Sequence, residues 1–227
     1  LTDTEGGRVL RYNGPDGTFE DTFIPTGLGG LTNPVAMVFS PAGFLLVADR
    51  HQGVLRYDAA SGAFLDVFIP TQPGVLDTVT GLTIGPDGNI YVSSGANNSV
   101  LRFAGATGAF LDEFVSPGSG GLAYPSGLTF GPDGRLYVCS RDSHAVLRYE
   151  GGTGAFRDAF IPPLQDGLSW PTTLMFTASP RLQIRRGASG AAVIAWPKAH
   201  KHLKLTQAAS AARSEEHTSE LQSRLHL

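Results

Sequence analysis

Val9-Leu10-Arg11-Tyr12 returns as Val54-Leu55-Arg56-Tyr57, Val100-Leu101-Arg102-Phe103 and Val146-Leu147-Arg148-Tyr149, at steps of 45, 46 and 46 residues. Other landmarks keep that step. Phe23-Ile24-Pro25, Phe68-Ile69-Pro70, Phe114-Val115-Ser116 and Phe160-Ile161-Pro162 follow the tetrapeptides, and Leu31, Leu76, Leu122 and Leu168 come after them. Gly85-Pro86-Asp87-Gly88 and Gly131-Pro132-Asp133-Gly134 also match, with Ser40-Pro41-Ala42-Gly43 as a weaker third copy. Self-similarity at a fixed period is the mark of a repeat architecture. The step changes between Val92 and Val100, which places a loop there, because insertions are absorbed in loops.

Inside one unit, Gly81 to Ile84 and Asn89 to Val92 are short β-branched and aromatic runs joined by Pro86-Asp87-Gly88. Pro presets φ and Gly takes the positive φ of a tight hairpin turn. Ser99 to Phe103 and Ala109 to Val115 flank a second hairpin at Gly105-Ala106-Thr107-Gly108. The first three strands are apolar on both faces, as in a sheet covered on both sides. A four-stranded antiparallel unit of about 46 residues that stacks on its neighbours is a β-propeller blade. A leucine-rich solenoid needs about half that period, and a helical array needs 3.6-residue patterning that is missing.

Composition agrees. Charged residues are 16% of the 227, below the usual ~25%, and the net charge is −3, which speaks against a disordered or nucleic-acid-binding chain. The 29 glycines match the frequent turns. No apolar run reaches the ~18 residues of a membrane span, and the single Cys139 excludes an intrachain disulfide. The opening LTDTEGGRVLRY carries no charged-then-apolar leader, which leaves the compartment undetermined.

The pattern P-x-G-L-x-F-G-P-D-G-x-L-Y-V-x-S, followed by V-L-R-Y-x-x-x-T-G-A-F and D-x-F-I-P, resembles the NHL-repeat and related six-bladed, TolB-like propellers of bacterial extracellular proteins. The resemblance covers roughly residues 1–176 and implies blade architecture and an extracellular or cell-surface location. It implies no single activity, since that superfamily holds binding scaffolds, lactonases and lyases alike.

The expected fold is therefore all-β, a partial propeller of about 3.5 four-stranded blades. Half a blade spans 9–25, whole blades span 33–70, 79–116 and 125–162, and a further first strand runs over Thr173 to Phe176. A six-bladed ring at this period needs about 270 residues. An incomplete ring exposes blade faces and edges, so self-association is expected. Residues 177–212 alternate like two strands and resemble the start of a small β-sandwich module; the competing reading continues the blade, with Arg181 to Ile184 in place of Arg135 to Val138. Residues 213–227 include Arg213 to Arg224, which resembles the translation of a sequencing adapter, the alternative being a polar helix. The basic stretch from Lys198 to Lys204 holds His200 and His202, two ligands and too few for a metal site.

Strand direction alternates within a blade, so both hairpins fall at one end of the propeller and the remaining loops share the other. That second, loop face carries the candidate binding residues Asp49, His51, Asn97, Asn98, Asp142 and His144, with Tyr124 and Trp170 from the blade-to-blade connections. Loops held on a rigid scaffold are where binding residues collect. The bland alternative has Asp49, Asn98 and His144 bonding loop backbone, and Tyr124 and Trp170 packing under their loops. A metal-dependent lactonase or a His-dependent lyase needs convergent carboxylates or histidines at the starts of the first strands. Those starts offer Asn33 and no carboxylate or histidine. The expectation is a non-catalytic scaffold for a protein or carbohydrate ligand, without nucleic acid and without a cofactor, calcium entering only in a complete propeller. The alternative is a hydrolase or lyase whose catalytic blades lie outside this chain. Arg11, Arg56, Arg102 and Arg148 precede Asp21, Asp66, Asp112 and Asp158 by ten residues, a spacing read as pairing between blades.

Overall fold

The structure, a computed structural model, describes residues 1–176 and, for backbone only, Gln183–Arg186 and Ala192–Ala195. The chain divides into two units, Leu1–Phe176 and Thr177–Leu227. The first opens with a three-stranded sheet of β1 (Thr2–Asp3), β2 (Arg8–Tyr12) and β3 (Phe19–Ile24). Three four-stranded antiparallel sheets follow: β4 (Pro34–Phe39) to β7 (Phe64–Pro70) through β5 (Phe44–Asp49) and β6 (Gly53–Asp58); β8 (Val79–Ile84), β9 (Ile90–Ser94), β10 (Ser99–Phe103) and β11 (Phe110–Val115); and β12 (Pro125–Phe130), β13 (Leu136–Ser140), β14 (Ala145–Tyr149) and β15 (Phe156–Ile161). Each sheet pairs its strands in sequence order, the meander of a propeller blade.

Alternation explains why the strands are apolar throughout. Leu45 and Val47 of β5 join Val9 and Ile24 of the preceding sheet and Leu31 of the connection after it, whereas Leu46 and Ala48 join Val79, Leu82 and Val92 of the following sheet. The second blade repeats this, with Ile90 and Val92 facing back and Tyr91 facing forward to Leu128 and Val138. Successive strand residues point to opposite faces, so a sheet between two neighbours must be apolar on both. The fourth strands β7, β11 and β15 are half exposed, the pattern of an outer rim.

Adjacent blades lock through their first strands. Thr80 Oγ1 donates to Pro125 O at 2.6 Å, and Ser126 Oγ donates to Pro171 O at 2.8 Å, one repeat on. Gly81 permits the approach, since a Cβ there would stand 2.2 Å from Ser126 O. Tyr91 meets Phe130 edge to face at 4.9 Å between ring centroids, and Tyr137 meets Phe176 in the same way at 4.8 Å.

Three sequence expectations change and one holds. The opening sheet has a third strand, β1, too short for a pattern to reveal. Thr173 to Phe176 is not a strand among the described residues, because no second strand is described beside it; Pro171 O accepts from Ser126, Thr172 O accepts from Gly127 N and Phe176 meets Tyr137, the contacts of a first strand and its approach. The arginine–aspartate pairs lie within blades, since antiparallel pairing sets Arg56 opposite Asp66, and Arg11, Arg102 and Arg148 opposite their own partners. The extra residue does fall in a loop, 95–98 against 50–52, as expected.

In the second unit β16 (Gln183–Arg186) pairs antiparallel with β17 (Ala192–Ala195). The remainder of the 177–212 segment, the His200 and His202 stretch and the 213–227 tail lie outside the described residues.

Candidate functional site on the loop face

The loop between the second and third strands of each blade meets the connection into its own blade and, on its other side, the connection into the next. Asn33, Thr78, Tyr124 and Trp170 occupy one repeat position at that junction. Their carbonyls accept from the loops: Asn33 O from Arg50 N at 3.0 Å, Thr78 O from Gly95 N at 2.9 Å, and Tyr124 O from Arg141 N at 3.2 Å. Thr78, Tyr124 and Trp170 adopt φ of 54, 47 and 53°. Positive φ is costly for branched and bulky side chains and persists only where its surroundings impose it.

Part of what imposes it is visible. Asn98 Oδ1 accepts from Tyr124 N at 2.7 Å, and His144 Nδ1, one repeat later, accepts from Trp170 N at 3.2 Å. The second bond requires the His144 tautomer with its proton on Nε2. Asn98 and His144 themselves have φ of 55°, a region both side chains tolerate.

Asp49 is fully buried, and its carboxylate accepts four backbone N–H bonds, from Thr32 (2.8 Å), Asn33 (2.6 Å), His51 (3.0 Å) and Gln52 (3.1 Å). Burial pushes its carboxyl up, but the four donors outweigh burial and hold it below the usual value of 3.8. Ser94 and Ser140 stand at the same position and do the same work more lightly, accepting from Asp77 N at 3.0 Å and Ala123 N at 2.9 Å. In this structure Asp49 is a loop brace with no surface toward a ligand.

The exposed chemistry forms a chain of guanidinium and aromatic groups across the blades. Arg50 Nε donates to Asn33 Oδ1 at 3.1 Å, and its Nη1 donates to the Tyr124 hydroxyl at 3.3 Å. The Arg141 guanidinium lies 4.1 Å from the Tyr124 ring centroid and 5.4 Å from that of Trp170, geometry that favours cation–π attraction. Asp142 holds Arg141 by a 2.9 Å ion pair, and His144 lies 6.1 Å from the Trp170 ring. Trp170 is 60% exposed. Tyr124 reaches Arg50 because the intervening blade has Gly95 where its neighbours have arginine; a Cβ there would stand 3.2 Å from Tyr124 Cζ.

Tyr124, Asp142, His144 and Trp170 thus come together, with Asn98 behind them. His51 is exposed beside Arg50 in a cleft of about 160 Å³ that Thr71, Asp77 and Thr78 also line. Asn97 turns away, donating to Val75 O at 2.9 Å and lining a separate cleft of about 370 Å³ with Phe110 and Glu113. Arg50 and Arg141 were missing from the residues marked in the sequence. Their shared register position, with Gly95 between, was the available signal. Among the described residues no group of three His, Cys, Asp or Glu converges as a metal site would.

No protein-family model and no curated protein sequence matches this chain. Solved structures do. A catalytically inactive variant of virginiamycin B lyase from Staphylococcus aureus, solved with quinupristin, superimposes with a TM-score of 0.53 at 20% identity, over 84% of this chain and 57% of that one. A streptogramin B lyase gives 0.52 at 17% identity, over 85% and 56%. A chain of the nidogen/laminin complex gives 0.59 at 20% identity, over 76% and 61%. This chain therefore spans less than two thirds of the length of these structures. At such identities the likeness shows the fold: Leu1–Phe176 forms part of a β-propeller.

Proposed function

We propose that this chain is a ligand-binding propeller scaffold that takes a protein or carbohydrate partner on its loop face. The observation that carries the reading is the array running from Arg50 through Tyr124 and Arg141 to Trp170. Tyr, Trp and Arg are the residues that dominate binding hot spots, and here they sit on loops fixed by backbone hydrogen bonds rather than on mobile ones. Residues held in strained conformations cluster at functional sites, and Tyr124 and Trp170 are two such residues.

The test is binding of the full chain to arrays of peptides and glycans, repeated with one variant at each end of the propeller. Trp170→Ala removes an exposed side chain from the loop face. Arg135→Ala changes the hairpin end, where Arg135 pairs with Asp133. Ligands lost with Trp170→Ala and kept with Arg135→Ala support the reading. Ligands indifferent to Trp170→Ala, or lost only with Arg135→Ala, overturn it.

A further inference from the structure

Residues 1–176 contain no lysine, so arginine supplies every basic side chain apart from histidine. Each of these arginines except Arg50 has a carboxylate within 4.0 Å, from the cross-strand pairs of Arg56, Arg102 and Arg148 to the Arg141–Asp142 pair. Arg50 alone is held by neutral acceptors, Asn33 Oδ1 and the Tyr124 hydroxyl. Asp77 lines the same cleft but makes no ion pair with it, and the Asp77 carboxylate accepts instead from Thr78 Oγ1 at 3.2 Å. A guanidinium has five N–H donors in a rigid fork. Nε and one hydrogen of Nη1 are used, which leaves the outer edge of the fork unfilled among the described residues.

We infer that Arg50 is the anchor of a carboxylate-recognition site for an acidic polypeptide segment, an inference that rests on the loop-face reading and narrows it. The guanidinium is preorganised, since two neutral bonds fix its plane without neutralising it, and preorganisation lowers the cost of binding. A carboxylate matches the unfilled edge in bidentate geometry. Polypeptide is favoured over acidic glycan by what surrounds Arg50. Arg141 covers the Tyr124 ring, and that ring lies against Gly95, so it supports Arg50 and is poorly placed as a stacking platform for sugars. The cleft, at about 160 Å³, is smaller than the ~300 Å³ at which enclosed small-molecule sites begin.

Fluorescence anisotropy of a labelled oligoglutamate peptide with the full chain tests this, with oligoglutamine as neutral control and oligogalacturonate as competitor. Oligoglutamate is expected to bind at least about tenfold more tightly than oligoglutamine, more weakly as ionic strength rises. Arg50→Gln should weaken it by about tenfold or more, Arg50→Lys by less, because the charge remains while the fork is lost. Arg157→Gln, at an arginine paired with Glu150, should leave it unchanged. Circular dichroism melts report whether each variant is folded. If Arg50→Gln proves unfolded, the loss with folded Arg50→Lys decides. Oligoglutamate binding indifferent to Arg50, no oligoglutamate binding at all, or oligogalacturonate binding in its place would each overturn the inference. Array ligands that depend on Trp170 but not on Arg50 would overturn it while leaving the loop-face reading intact.

Discussion

Asp49, Ser94 and Ser140 occupy one position in three blades and solve one problem, the unpaired N–H groups of the connection into that blade, with different capacity. Asp49 satisfies four backbone N–H groups, two of that connection and two of the loop after its own strand, where each serine oxygen accepts one backbone N–H. Leaving buried donors unpaired costs about 1–3 kcal/mol, so Asp49→Ala should lower unfolding stability by about that amount in denaturant titrations. Asp49→Ser should lower it less. The carboxyl is held below 3.8 in the folded state, so its contribution is complete above that value and is lost as pH falls through the lower folded value. Stability of Asp49→Asn should therefore depend less steeply on pH in the acid range than that of the parent, as measured by urea midpoints. Tyr57 presents a simpler case. Its buried hydroxyl donates to Leu28 O at 2.8 Å, and Tyr57→Phe should cost about 1 kcal/mol in the same assay.

At the scale of the element, the recurring Arg–Asp pair is a cross-strand device. Arg56 reaches Asp66 through both Nε and Nη2, and its guanidinium also lies 4.5 Å from the Phe68 ring centroid. The aspartate side is 45% exposed, so water screens the pair. A double-mutant cycle on Arg56 and Asp66 should return a coupling below about 1 kcal/mol, which makes the pair a setter of register more than a source of stability. The first strands behave differently, because backbone lies against backbone there. Gly81→Ala places a Cβ 2.2 Å from Ser126 O, and overpacking of this kind costs about 1–3 kcal/mol, readable as a lowered thermal midpoint. The repeat made the glycine visible in the sequence. That its purpose is the approach of a neighbouring blade was not, since Ala36 fills the same position one repeat earlier.

Across the molecule, buried ionisable groups between blades set the response to alkali. Burial pushes the Cys139 thiol from 9.0 up to about 12, and the Tyr91 phenol is pushed from 10.0 up to about 12, chiefly by burial. Both belong to interblade clusters. In the unfolded chain these groups release their protons near their ordinary values, while the folded chain retains them. Stability is thus complete below about 9 and falls as pH rises toward about 12. Equilibrium unfolding followed across that range should show the decline, and Cys139→Ser should blunt it. A stability that stayed level up to pH 12 would contradict the burial of both groups.

The sequence by itself determined the blade. Its period, its hairpin turns at Pro86-Asp87-Gly88 and its doubly apolar strands follow from local rules of φ and from the two-residue alternation of side chains. It also marked the loop face, because strand direction alternates whatever the neighbours do. Only the tertiary structure decided which groups on that face meet. Arg50 and Tyr124 are 74 residues apart and touch because blades stack, with Gly95 leaving the gap between them. It decided as well that Asp49 is spent on backbone and that the arginine–aspartate pairs stay within a sheet. Spacing along a chain records separation in one dimension, and an ion pair or a stacked ring depends on which strand lies beside which.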